Sequence, residues 1–331
     1  MKRIILYILI FILLCFAIPI LFTKNKLKDV VKEIETTNET IIESTYDYKN
    51  YQNIKLLHVS TNQVEEIKLD EYLYGVVSAE MPASFEKEAL KAQAVVARTY
   101  TIYKIINSGG KHEGANICDN STCCQAWISK EDRFEKWEEA SRQSNWDKIV
   151  EAVNSTQGKI ITYNNEPINA FFHSNSGGMT ETTDNVWGGT GYQYLQAVAT
   201  PGEETYSQYH SEVTLSKQTF IDKIKEQHSE FEIDFAVEDC IKVLEYTDGN
   251  RVKKVKIGNL ELSGVEVRTI LGLKSANFKI TIIGDNIKFE VIGYGHGVGM
   301  SQTGADSMAK SGSTYEEIVK HFYTGVEITN L

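Results

Sequence analysis

The most restrictive feature of the sequence is an unbroken run of 19 apolar residues, 4–22, directly after Lys2 and Arg3. A helix of this length spans roughly 28 Å at about 1.5 Å per residue, close to the thickness of a bilayer core. A cleaved signal peptide has a shorter apolar stretch and a small-residue cleavage site. We therefore predict that residues 1–23 are an uncleaved signal anchor that crosses a membrane once.

A polar stretch, residues 24–51, follows the anchor and shows no durable apolar period, so we predict a tether to a globular domain. No Pro- or Gly-rich linker interrupts residues 52–331. This favours one elaborate domain, or two packed lobes with a groove between them. The chain is 42% apolar and 10% aromatic, which excludes disorder, and its five cysteines are too few for a disulfide scaffold.

The chain is acidic, with 45 Asp and Glu residues against 34 Lys and Arg residues and a formal net charge of -11 at pH 7. Affinity for nucleic acid depends largely on clustered Lys and Arg that neutralise phosphates. We therefore expect no nucleic-acid partner.

Short β-type runs alternate irregularly with helical windows, which indicates an α+β fold. The most strongly helical window covers residues 84–106, and turn sequences at 248–250 and 284–286 predict two hairpins. Further helices are predicted over residues 70–79, 146–157 and 313–323. Strands are predicted over residues 54–59, 64–69, 159–163, 168–173, 194–199, 241–246, 252–257, 278–283 and 287–292.

Glu80 is the candidate catalytic acid. It ends a predicted helix because Pro82 pushes Met81 out of the α region. The partial negative charge of a helix C-terminus and apolar neighbours both raise the pKa of a carboxyl group. A carboxylic acid that stays protonated near neutral pH can donate a proton to a leaving oxygen. A solvated helix-end carboxylate is the alternative.

A loop with three cysteines and a histidine offers ligands that zinc prefers, namely thiolates and a neutral imidazole. These residues are His112, Cys118, Cys123 and Cys124. Adjacent residues rarely bind one ion comfortably, so either Cys123 or Cys124 could be left out. A closed site of four protein ligands has no position for water, which indicates a structural role. Cys240 is predicted to be an ordinary buried residue.

Four ordered blocks carry a family resemblance. They are Glu-Met-Pro at 80–82 with residues 88–100, the segment 174–181, Val-Trp-Gly-Gly at 186–189, and the glycine-rich segment 293–302. Together they resemble the stage II sporulation protein D (SpoIID) family, whose relatives include amidase enhancers. Phe85 stands where the family pattern has Trp, and Thr303 where Tyr is common.

The resemblance implies a lytic transglycosylase that cuts peptidoglycan between N-acetylmuramic acid and N-acetylglucosamine, preferably where stem peptides are absent. Glu80 would act first as acid and then as base while a 1,6-anhydro ring closes. Such a reaction needs no second carboxylate, unlike ordinary glycosidases. The two alternatives are a wall-binding amidase enhancer without catalysis of its own, and a zinc-dependent wall amidase.

The candidate substrate-binding residues come from the same blocks, and each also has a structural interpretation. A structural salt bridge is an equally good interpretation of Arg98, and Tyr192 and Tyr194 could be half-buried strand residues rather than sugar-stacking rings. The full set is Arg98, His173, Ser174, Ser176, Tyr192, Tyr194, His296 and Gln302.

The resemblance also bears on the cysteine loop, the partners and the location. The family pattern selects Cys118 and Cys124, so we expect zinc bound by His112, Cys118 and Cys124 with Cys123 as fourth ligand, or instead a Cys118–Cys124 disulfide. The implied partners are peptidoglycan strands and homologues of SpoIIP and SpoIIM. The implied location is the mother-cell membrane, with the C-terminal domain outside the cytoplasm and facing the forespore.

Overall fold

The computed structural model describes residues 48–107 and 111–331. The predicted anchor and the predicted tether up to residue 47 lie outside the described residues. Among the residues that are described, no helix is long and apolar enough to cross a membrane. These residues belong to one compact unit.

The structure is a mixed α+β fold, as predicted, with helices of 5 to 21 residues. The α-helices of the described residues are α1 (Leu69–Glu80), α2 (Lys87–Asn107), α3 (Lys130–Lys136), α4 (Arg142–Asn154), α5 (Thr183–Trp187), α6 (Lys217–Lys225), α7 (Gly264–Leu271), α8 (Gln302–Lys310) and α9 (Tyr315–Phe322).

The strands form several small sheets, each of two or three strands. They are β1 (Asn53–His58), β2 (Gln63–Lys68), β3 (Ile117–Cys118), β4 (Lys159–Tyr163), β5 (Glu166–Pro167), β6 (Phe172–His173), β7 (His210–Ser216), β8 (Ile241–Tyr246), β9 (Val252–Ile257), β10 (Leu260–Leu262), β11 (Phe278–Ile283), β12 (Asn286–Ile292), β13 (Met300–Ser301) and β14 (Glu327–Asn330).

Helix α2 is the centre of the first hydrophobic core, which we call the first lobe. Its small buried residues, including Ala89, Ala92 and Ala94, let neighbouring elements approach closely. Helices α1, α4, α8 and α9 and strand β4 pack around it. Helix α1 ends as predicted, because Met81 before Pro82 has extended backbone angles (φ -124°, ψ 142°).

A second hydrophobic core, the second lobe, is built from residues 213–291. It packs α6 and α7 against a three-stranded sheet, β11-β12-β7, and a second sheet, β10-β9-β8. Both predicted hairpins are confirmed, because β8 pairs with β9 and β11 pairs with β12 in antiparallel register. In sequence the second core lies between Leu195 and Val298 of the first, so the second lobe is an insertion.

Arg251 links the second lobe to the loop that follows β6. Its Nη2 donates to the carbonyl oxygen of Ser176 at 2.9 Å, and its Nη1 donates to that of Met179 at 3.1 Å. The Arg251 side chain is buried and lies 4.0 Å from the carboxylate of Glu181, which is also buried. These contacts fix the second lobe beside the first.

The predicted strand at residues 194–199 is wrong. Its backbone makes scattered hydrogen bonds instead of a strand ladder: the Thr180 hydroxyl donates to the carbonyl of Gln196 and accepts from the amide of Val198, and the carbonyl of Tyr194 accepts from the amide of Thr324. The strand predicted at 168–173 shortens to Phe172–His173, and the sequence interpretation missed β7. A local apolar pattern cannot reveal whether a partner strand is available.

Arg98 is completely buried and joins four elements of the first lobe. Its guanidinium donates to the carbonyl oxygens of Thr156 (2.8 Å), Lys159 (3.2 Å) and Val153 (3.3 Å). It also pairs with Asp70 of α1 at 3.3 Å. Two of these carbonyls lie at the C-terminal end of α4, where the helix dipole favours a cation.

We expect Arg98→Met to lower the free energy of unfolding by about 3 kcal/mol, because it leaves buried carbonyls and Asp70 without this cation. The matched control is Lys87→Met, which breaks an exposed pair with Glu151 and should cost less than about 1 kcal/mol. Urea unfolding of both variants measures the difference. Equal, small losses would contradict a structural role for Arg98.

Candidate active site

A cleft of about 640 Å³ contains most of the predicted catalytic and binding residues. Both lobes contribute to its wall, with Arg268 supplied by α7 of the second lobe. The lining residues are Ala79, Glu80, Tyr100, Lys104, Ser121, Thr122, Cys123, Cys124, Phe171, Phe172, His173, Ser174, Trp187, Arg268, Tyr294, Gly295, His296 and Gln302.

Glu80, the last residue of α1, is held at the cleft by one hydrogen bond to each carboxyl oxygen. Its Oε1 accepts from the backbone N–H of Ala126 at 2.8 Å, and its Oε2 accepts from Nε2 of Gln302 at 3.2 Å. Gln302 begins α8, so the acid is fixed between segments far apart in sequence. The carboxyl group therefore has a defined orientation toward the cleft.

Burial raises the pKa of Glu80, and the hydrogen bonds from Ala126 and Gln302 only partly offset this rise. The direction agrees with the sequence prediction. The principal cause is desolvation by burial. A raised pKa favours the protonated form of Glu80, which is the form that a proton donor requires.

His173 and His296 form a neutral part of the cleft wall, with ring centroids 5.6 Å apart. Burial lowers the pKa of His173 to about 3, with the positive charges of Arg251 and Arg268 adding to the effect. Burial also lowers the pKa of His296 well below its ordinary value. Both imidazoles are therefore uncharged at neutral pH.

The hydrogen bonds of His173 fix its tautomer. Its Nδ1 lies 3.1 Å from the carbonyl oxygen of Val298, and a carbonyl can only accept, so Nδ1 carries the proton. The other nitrogen, Nε2, is an acceptor that is buried and has no hydrogen-bond partner among the described residues. A buried nitrogen without a partner is unusual in a folded protein, and this one belongs to a residue that lines the cleft.

Ser174 and Ser176 have different positions, although both were predicted to bind substrate. Ser174 lines the cleft. Ser176 is fully buried, and its hydroxyl donates to Glu203. The prediction for Ser176 is therefore corrected: burial and the bond to Glu203 make it a structural residue.

Glu203 was missed by the sequence interpretation, yet its fully buried carboxylate organises one side of the cleft. Burial alone would raise the pKa of Glu203, but its hydrogen bonds lower it below the usual range. No local pattern marks this residue, because its donors come from three separate segments. The donors are the amides of Ser176 (3.1 Å) and Gly178 (3.0 Å) and the hydroxyls of Ser176, Thr200 (2.7 Å), Ser301 and Thr303 (2.8 Å).

Thr303, the departure from the family pattern, has a structural role. Its hydroxyl donates to Glu203 and accepts a hydrogen bond from Nδ2 of Asn175 at 2.8 Å. Its amide donates to the carbonyl oxygen of Ser174 at 3.0 Å. The residue therefore ties the start of α8 to the loop that carries Ser174.

Arg98, Tyr192 and Tyr194 are not among the residues that line the cleft, and burial corrects the predicted role of Arg98 and Tyr194 as sugar contacts. Arg98 is buried against the end of α4. Tyr194 is buried as well, and its hydroxyl accepts from the amide of Asn169 at 3.1 Å. The Tyr192 ring centroid lies 5.2 Å from that of Tyr194 and the residue is 38% exposed, so its contact with sugar stays a prediction.

Trp187 lies in a block that the sequence analysis recognised, but its role was not assigned. Its side chain is 51% exposed, and its ring centroid is 4.8 Å from that of Phe171 and 5.1 Å from that of His296. An exposed indole supported by two rings offers a flat face to a sugar.

The cysteine loop brings four zinc-type ligand atoms together, all within 4.8 Å of one another. Nε2 of His112 is 3.4 Å from Sγ of Cys124 and 3.6 Å from Sγ of Cys123, and these two sulfurs are 3.9 Å apart. Tetrahedral zinc geometry requires roughly 3.5 Å between nitrogen and sulfur and roughly 3.8 Å between sulfurs. The donors therefore fit zinc, and the described cysteines form no disulfide with one another.

Comparisons with known proteins agree with the sequence resemblance. A family model for SpoIID, stage II sporulation protein, matches residues 58–163. Stage II sporulation protein D of Bacillus subtilis is 38% identical over 278 residues, covering 84% of this chain and 79% of that protein. The same-named protein of Bacillus amyloliquefaciens is 36% identical and covers 92% of this chain. An amidase enhancer of Bacillus subtilis is 31% identical over 78% of this chain but only 40% of its own length.

We expect Glu80→Gln to stabilise the fold at neutral pH. A carboxyl group whose pKa is raised in the folded state does not lower the free energy of unfolding below its unfolded pKa of about 4, because both states are then protonated. It lowers the free energy of unfolding increasingly as pH rises through the pKa of the folded state. The gain in unfolding free energy over wild type should therefore be absent in acid and largest at alkaline pH. Urea unfolding across pH measures it, with the exposed Glu86→Gln as control. A gain that does not depend on pH would contradict the assignment.

Proposed function

The chain belongs to the SpoIID family of stage II sporulation proteins, and from this premise we propose that it is a lytic transglycosylase that cuts peptidoglycan strands during engulfment. The observation that carries the proposal is Glu80, a carboxyl group with a raised pKa, oriented at a cleft by Ala126 and Gln302. It is the only carboxylic acid among the described residues that line this cleft.

One carboxyl group is sufficient for the proposed reaction. Protonated Glu80 donates its proton to the glycosidic oxygen, and the bond from that oxygen to C1 of the muramic acid breaks. The resulting carboxylate takes the proton of the C6 hydroxyl, whose oxygen bonds to C1 and closes a 1,6-anhydro ring. No water is consumed, in contrast to hydrolysis by two carboxylates.

The hydrogen bonds to Glu80 suit both steps. Burial favours the neutral acid before the first proton transfer. The Ala126 and Gln302 donors stabilise the carboxylate that exists between the two transfers. The group can therefore alternate between acid and base without moving.

The sugar contacts in this proposal come from the cleft wall. His173 offers its unpaired Nε2 as an acceptor for an N-acetyl N–H or a hydroxyl, and Trp187 offers a stacking face. Ser174, His296 and Gln302 complete the proposed set.

We further propose a structural zinc bound by His112, Cys118, Cys123 and Cys124. Bound zinc would supply rigidity to this loop. The adjoining Gln125 is buried and donates to the hydroxyls of Tyr72 and Thr101, both at 2.9 Å. The following residue, Ala126, contacts Glu80, so the loop positions a donor to the acid. Four protein ligands leave no open position for a zinc-bound water, so a zinc amidase is less well supported.

The setting of the reaction is also a proposal. We infer that residues 1–23 anchor the chain in the mother-cell membrane with the cleft outside the cytoplasm, facing the forespore. There it would act on strands that a SpoIIP homologue has freed of stem peptides, with a SpoIIM homologue as membrane scaffold. The amidase enhancer among its relatives supports a second candidate, a wall-binding enhancer that uses the same cleft without turnover.

The full chain is expected to release 1,6-anhydromuramic products from peptide-free glycan, as measured by mass spectrometry. Glu80→Gln should lower kcat by about 10²- to 10⁴-fold, because the acid and base are lost. Glu86→Gln, the matched control, should retain activity. Products with only reducing ends would indicate hydrolysis, and no products from folded wild type would favour the enhancer.

Elemental analysis is expected to find one zinc per chain. Cys118→Ser should lose the metal and lower Tm, since ligands and fold are coupled in structural zinc sites. Cys240→Ser removes a buried thiol far along the chain in the second lobe and should retain the zinc. Absence of metal together with a Cys118–Cys124 disulfide, detected by peptide mapping, would overturn the zinc proposal.

A further inference from the structure

Arg268 is a cation in the cleft for which the proposed reaction gives no role. It lies in the last turn of α7 and faces the same cavity as Glu80. Its Nε is buried without a hydrogen-bond partner among the described residues, and its guanidinium forms no ion pair with their carboxylates. Burial lowers the pKa of Arg268, although an arginine remains charged at neutral pH.

An unpaired guanidinium that has lost part of its water is costly unless it gains a partner. The chain has 45 acidic residues, yet none of the described ones pairs with this arginine. The other cation of the cleft, Lys104, differs because its Nζ lies 5.1 Å above the Tyr100 ring. Of these two cations, Arg268 is the one whose guanidinium has no hydrogen bond, ion pair or ring contact among the described residues.

The charges around Arg268 favour an anionic ligand. Among the described residues of the cleft wall, Glu80 is the only acid and it stands against two cations, Arg268 and Lys104. Both neighbouring histidines are neutral, and their lowered pKa values partly reflect the positive charge of Arg268. The site therefore has net positive character within an acidic chain, and a guanidinium binds a carboxylate through two parallel hydrogen bonds.

We propose that Arg268 binds the free lactyl carboxylate of a muramic acid residue and thereby selects glycan without stem peptides. In strands that carry peptides the same carbonyl is a neutral amide, which cannot form this ion pair. The inference rests on the proposed function insofar as the substrate is a muramic acid glycan. It adds the residue and the chemical group that distinguish the two forms of that glycan.

The experiment compares peptide-free glycan oligomers with the same oligomers after conversion of their lactyl carboxylates to methylamides. Binding is measured by titration calorimetry with the full chain carrying Glu80→Gln, which prevents cleavage. We expect the carboxylate form to bind about 10- to 100-fold more tightly. Adding Arg268→Gln should reduce this ratio to near one, and Arg268→Lys should retain part of it. Lys225→Gln, an equal charge change on an exposed part of α6, should leave the ratio unchanged.

An affinity ratio near one between the two glycans in the Glu80→Gln chain would overturn the inference. That comparison requires no change at Arg268. An affinity ratio that is unchanged by Arg268→Gln would also overturn it. So would a result in which Arg268→Gln weakens the binding of both glycans equally. The proposed function is tested separately by product release from wild type. Carboxylate-dependent binding without product release would reject the transglycosylase and still support the assignment of Arg268.

Discussion

The cleft depends on the hydrogen bonds that are donated to the buried carboxylate of Glu203. Its donors lie in the loop after β6, in the segment before Glu203 itself, and at the start of α8. A charge buried this deeply is tolerated only when hydrogen bonds replace its water, and each donor that is removed leaves part of the cost uncompensated. The network therefore holds Ser174 and Gln302 at fixed positions, and Gln302 in turn orients Glu80.

Two carboxyl groups of the first lobe, Glu203 and Glu80, illustrate how the number of hydrogen-bond donors shifts a pKa. Glu203 accepts from amides and hydroxyls on several sides, and its pKa falls despite burial. Glu80 accepts from only two groups, and its pKa rises. The same residue type thus has a pKa below its usual range in one place and above it in another.

Local patterns predicted the parts of the fold that local physics controls. The end of α1 before Pro82, the Ala-rich helix α2 and both hairpins follow from propensities and turn chemistry in neighbouring residues. The cleft residues His173, Ser174, His296 and Gln302 lie in glycine-rich blocks that were recognised. The errors concern residues whose partners are distant in sequence. Arg98 and Ser176 were predicted to contact a ligand, because their buried acceptors cannot be recognised from the neighbouring residues. Arg268 and Glu203 lie outside any motif, so only the folded chain reveals them.

The insertion of the second lobe imposes an order on how the cleft is completed during synthesis. Glu80 is made early, the arginine of α7 follows much later, and Ser301, Gln302 and Thr303 come close to the end. The first core itself needs Val298, Met300 and the helices that follow. A growing chain can therefore bury its second core before its first is complete. A truncated product that lacks the C-terminal segment would carry Glu80 and the Ala126 amide, but neither Gln302 nor the hydroxyls of Ser301 and Thr303 that bond to Glu203. The cleft is therefore complete only in the finished chain.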